Sequence, residues 1–71
     1  MIINVHIKHD DENDRWIARW NATGKKIEFS LESGSLDALF ERVCMAVMDV
    51  ENMPFSLVFE MVYKREVIWK N

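Results

Sequence analysis

A chain of 71 residues is one domain, and at that length folding buries only about 60% of the unfolded surface, so stability calls for added support. A hydrophobic fraction of 49% excludes disorder, the apolar runs are too short to span a membrane, and a single cysteine, Cys44, excludes an internal disulfide. The formal net charge of −3 disfavours a non-specific nucleic-acid binder.

No ligand cluster suggests a structural zinc, which leaves oligomerisation as the expected stabiliser. The N-terminal segment MIINVHIKHD lacks the basic start and apolar centre of a signal peptide, which points to the cytoplasm. Along the chain, Ile3, Val5 and Ile7 alternate with Asn4, His6 and Lys8, the pattern of a strand with one apolar face. The polar run HDDEND follows, and then Trp16, Ala18 and Trp20 alternate with Arg15, Ile17 and Arg19, which predicts an antiparallel hairpin. NATGKK turns the chain again, with Gly24 free to take positive φ, and Ile27, Phe29 and Leu31 line a third strand.

Ser33-Gly34-Ser35 ends the strands. Ser35 is the expected helix N-cap, with Ser33 as competitor, because a serine hydroxyl can accept from the free amides of the first turn. Asp37 in that turn suits the helix dipole. Leu36, Leu39, Phe40, Val43, Val47 and Val50 recur at helical spacing as one stripe, with Ala38, Glu41, Arg42, Met45 and Asp49 facing away. Asn52 and Pro54 are suited to end the helix. Beyond it, Leu57, Phe59, Met61, Tyr63, Val67 and Trp69 share one parity. Read as one strand this run is about 13 residues, or roughly 43 Å, about twice the length of the others. Lys64-Arg65-Glu66 offers none of the Gly or Asn that tight turns favour, so the strand is expected to project beyond its partners. A return as a fifth strand is the alternative.

Residues suited to chemistry are few. His6 and His9 with Asp10, Asp11, Glu12 and Asp14 could suggest a metal, and Asp10, Glu12 and Asp14 imitate the start of a calcium loop. Arg15 then stands where that loop needs Gly and Asn21 where it needs Glu, so a solvated turn is the better reading. Cys44 reads as a semi-buried packing residue, lacking a basic neighbour other than Arg42. The carboxylates do not converge as two-metal hydrolysis requires, and no nucleophile motif is present. Trp16, Trp20, Tyr63 and Trp69 with nearby cations could stack RNA, but the glycine-containing motif of such domains is absent and the tryptophans fit a core under the helix. Met45, Met48 and Met61 suit either an adaptable surface or gap filling.

The order of hairpin, strand, Ser-capped helix and strand resembles the single-helix domain of HicB-type antitoxins, closest to their short uncharacterised relatives. Their D-x-x-x-x-W-x-A hairpin is matched by Asp11, Trp16 and Ala18. Their L-E-x-x-S/T-L-D-x-L helix start is matched by Leu31-Glu32, Ser35-Leu36-Asp37 and Leu39. The resemblance covers residues 2 to 64 and implies a partly RNase-H-like fold that acts by binding. In complete HicB antitoxins this domain covers a small RNA-cleaving toxin and a separate C-terminal domain binds DNA. The chain has NATGKK where the larger antitoxins have a Pro-Gly-Cys-like turn, and it has no residues for the DNA-binding domain. The matched motifs are packing positions, so no functional residue is transferred.

The expected architecture is α+β, in the order β-β-β-α-β, with one helix on one face of an antiparallel-dominated sheet. Residues 1–71 form the single domain, with 65–71 a strand extension or dimerisation segment. The expected function is a non-enzymatic interaction module without metal or cofactor, acting as a homodimer or on a small partner such as an RNA-cleaving toxin. Tyr63, Val67, Ile68 and Trp69 are the expected partner-binding residues, since an exposed strand edge templates pairing and aromatic residues dominate interfaces. The alternatives are a nucleic-acid module using Arg15, Arg19, Lys64, Arg65 and Lys70, and a binding domain with no toxin partner.

Overall fold

A computed structural model describes residues 2–21, 28–51 and 54–63, together with the strand backbone of 66–70. The elements are β1 (Ile2–Asp10), β2 (Arg15–Asn21), β3 (Glu28–Ser33), α1 (Leu36–Val50), β4 (Ser56–Tyr63) and β5 (Glu66–Lys70). They form an α+β fold with a five-stranded sheet in the order β3-β2-β1-β4-β5. The β1–β2, β2–β3 and β4–β5 pairs are antiparallel, whereas β4 runs parallel to β1, from Ile2↔Ser56 to Lys8↔Val62.

The alternation read in β1 and β2 fixes which face is sealed. Ile3, Val5 and Ile7 are buried, as are Ala18 and Trp20 opposite them and Met61 on β4. The helix closes this face with Leu39, Val43 and Val47, all fully buried. Burying a side chain of this kind contributes about 1.5–3 kcal/mol. Phe40 meets Phe59 edge to face at 5.0 Å, and the cross-strand pair Trp20 and Phe29 stacks at 5.7 Å. Arg42 ties the helix to β3 by donating to the Glu32 carbonyl oxygen at 2.8 Å. Val50, placed in the stripe by its spacing, is instead 36% exposed, because it ends the helix one turn beyond the last core contact at Val47.

Both serines act at the helix start. The Ala38 amide donates to Ser35 Oγ at 3.4 Å, and the Ser35 amide donates to Ser33 Oγ at 3.2 Å. Ser33 therefore supports the cap rather than competing for it. The helix closes at Glu51, whose amide donates to the Val47 carbonyl at 2.9 Å. Gly24, Ile27 and Asn52 lie outside the described residues.

The projecting final strand is corrected. β4 stops at Tyr63 and β5 returns antiparallel beside it, from Tyr63↔Glu66 to Glu60↔Lys70. A 13-residue strand would have run past β1, which pairs with β4 only as far as Val62. Turning back gives those backbone groups partners. The register passes from Met61↔Trp69 to Val62↔Val67, so one β5 residue is extra, as in a β-bulge.

Candidate functional site

Two places gather polar and aromatic side chains: one end of the helix-covered face, and the whole of the opposite face. The first grows out of the β1 alternation. Two residues beyond Ile7 the same parity brings His9 to the covered side, in register with Trp16 across the hairpin. Tyr63, at the end of the parallel neighbour β4, completes a three-ring cluster. His9 lies 4.8 Å from Trp16 and 5.3 Å from Tyr63 between ring centroids, and Trp16 stacks on Tyr63 at 5.9 Å.

The turn of residues 11–14 folds back over this histidine. His9 Nδ1 meets Asp11 Oδ1 at 2.7 Å and His9 Nε2 meets Asp14 Oδ1 at 3.1 Å. Asp14 reaches this position with φ of 50°, a left-handed conformation that Asp tolerates better than most residues. Asp10 starts the turn by accepting from the Glu12 amide at 3.2 Å and from Asn13 Nδ2 at 2.8 Å. The bond from Asn13 holds the Asp10 carboxyl below its ordinary value. For His9 the hydrogen bond with Asp11 is the largest influence and raises its pKa above the usual 6.5; shielding from water opposes this and the Asp14 bond adds to it. Of the residues weighed as a metal set, the fold thus joins His9, Asp11 and Asp14. The two carboxylates sit on opposite nitrogens of the ring and do not converge on a common point. Among the described residues no group of three or more His, Cys, Asp or Glu side chains is arranged to hold a metal ion.

His6 goes elsewhere. Its parity places it on the open face, where Nδ1 lies 3.9 Å from Glu60. That face carries two further pairs, Arg15 with Glu32 at 3.6 Å and Arg19 with Glu28 at 3.9 Å. The basic residues stand on β1 and β2 and the acids on β3 and β4. Two hollows of about 440 and 260 Å³ share His6 and Arg19. The larger reaches Asn4, Asn21 and Glu28, and the smaller is floored by Ile17 and Val62. Arg15 and Arg19, suggested for nucleic acid, are each faced by a glutamate. Lys64 and Arg65 and the side chain of Lys70 lie outside the described residues.

Of the expected interface residues, Tyr63 is half-buried in the ring cluster. Val67 and Trp69 hold register positions opposite Val62 and Met61, and Ile68 lies between them in β5; their side chains are outside the described residues. Cys44 is exposed, not semi-buried, since one step past Val43 turns it about 100° around the helix, off the stripe. Met45 and Met48 are exposed, whereas Met61 is buried. Sequence reasoning missed the His9, Trp16 and Tyr63 cluster. The signal available was His9 continuing the Ile3, Val5, Ile7 parity. No helix among the described residues is long and apolar enough to cross a membrane. Compared with protein-family models, curated proteins and solved structures, the chain has no significant match in any of the three.

Proposed function

We propose that this chain is a non-enzymatic protein-interaction module of the HicB-like, antitoxin-like kind. It acts in the cytoplasm as a homodimer or by holding a small partner such as an RNA-cleaving toxin. The observation that carries the reading is the position of β5 at the edge of the sheet. Among the described residues nothing pairs with its outer side. An edge strand offers a row of backbone donors and acceptors to a second chain. Both edge strands carry two charges, Glu28 and Glu32 on β3 and Glu66 and Lys70 on β5, but those of β5 stand at its two ends and leave an uninterrupted apolar centre, Val67-Ile68-Trp69.

The test is solution mass by light scattering across a concentration series, for the full chain, for a chain ending at Lys64, and for Ile68→Lys. The full chain is expected near twice 8.4 kDa and each variant at the mass of its own single chain. A full chain that stays monomeric throughout overturns the dimer, as does a shortened chain that dimerises and resists urea equally well. Ile68→Lys keeps the test valid where the shortened chain fails to fold.

A further inference from the structure

We propose that His9 is a proton-operated clasp, joining the β1–β2 turn and Trp16 to Tyr63 at the end of β4 when both ring nitrogens carry protons. A neutral imidazole has one donor and one acceptor, and an ionised carboxylate only accepts. Two carboxylate oxygens, at 2.7 and 3.1 Å from the two nitrogens, are both satisfied only by the doubly protonated ring. The side chain is 11% exposed, so little water competes for those bonds. The rings of Trp16 and Tyr63 lie within the roughly 6 Å over which an aromatic ring attracts a cation.

Among the described residues, every element around His9 fits this assignment. From the turn, Asp11 and Asp14 face it, with Asp10 adjacent in sequence and also favouring its charge. From β2 it meets Trp16, which does not titrate, and from β4 it meets the Tyr63 ring. Loss of one proton turns a nitrogen lone pair toward a carboxylate oxygen. The Asp14 contact is the longer of the two and its side chain is 95% exposed, so it is the one given up. That releases Asp14 from its left-handed conformation and loosens the turn. The raised proton affinity of His9 agrees with this geometry. Its contribution to stability is full below 6.5 and is lost as pH rises through the raised value.

The test is nuclear magnetic resonance of the isotope-labelled full chain, following the histidine ring nitrogens from pH 5 to 9, with His6→Gln to assign the two histidines. His9 is expected to titrate above 6.5, and the Trp16 and Tyr63 ring signals are expected to move with the same midpoint. Asp11→Asn is expected to lower that midpoint more than Asp14→Asn. A His9 midpoint at or below 6.5, ring signals that do not follow it, or a midpoint indifferent to Asp11→Asn overturns the clasp. The asparagine variants retain the histidine, so the test does not depend on a His9 variant that folds.

Discussion

The two faces of the sheet are built from the same strands and differ in almost everything else. On one, Ile3, Val5, Ile7, Ala18, Trp20 and Met61 lie under Leu39, Val43 and Val47, and no polar side chain is buried among the described residues. On the other, Arg15, Arg19 and His6 stand opposite Glu32, Glu28 and Glu60 at 3.6 to 3.9 Å, with half-buried Ile17, Val58 and Val62 between the rows. The first face holds the molecule together through area removed from water. The second contributes little to stability, because exposed ion pairs gain little over their solvated state. What separates the faces is the helix, so the comparison is broken most directly by weakening it.

Leu39→Ala should have the largest effect. The side chain is fully buried, and its removal leaves a cavity between helix and sheet, expected to cost about 3 kcal/mol in urea unfolding. For a 71-residue domain that is a large share of total stability. A loss below about 1 kcal/mol would mean that the helix does not seal this face. Ser35→Ala should cost less, about 0.5–1 kcal/mol, since the capping bond to the Ala38 amide is long at 3.4 Å and the Leu39 amide still reaches the Ser35 carbonyl at 3.0 Å. Circular dichroism through the urea transition checks both. A Ser35→Ala variant as stable as the parent would show that Ser33 or water satisfies the first turn.

The covered face was legible because each of its signals is local. Alternation in β1 and β2 set the buried side, and the spacing from Leu36 to Val47 set the helix stripe. The open face was legible for the same reason, as the complement of that alternation. The C-terminus was not. The run from Leu57 to Trp69 keeps one parity although β5 reverses beside β4 and the register shifts by one residue, and a period of two records neither. The cluster of His9, Trp16 and Tyr63 depends on β4 lying parallel beside β1, a neighbour relation made across more than 50 residues of chain. Within the hairpin alone, His9 and its carboxylates read as a solvated turn. The exposure of Cys44 and Val50 shows the limit of the helical pattern, which gives the direction of a stripe but not where the sheet beneath it ends.

The smallest expected effect tests the open face most sharply. A double-mutant cycle on Arg15 and Glu32, each changed to Ala, isolates their pair term. The side chains are 45% and 61% exposed and 3.6 Å apart, so the coupling should be about 0.3 kcal/mol at low salt and fade near 1 M salt. Measured at low protein concentration, that value would describe a face in contact with water. A coupling above about 1 kcal/mol that persists in salt requires the pair to be shielded from solvent. Nothing within the described residues of one chain covers Arg15 and Glu32, so the shield would have to come from beyond them. Repeating the cycle as protein concentration rises separates the sources. A coupling that grows with concentration places a second copy on the open face, and one that is large at concentrations where light scattering finds a monomer places the cover within the chain itself.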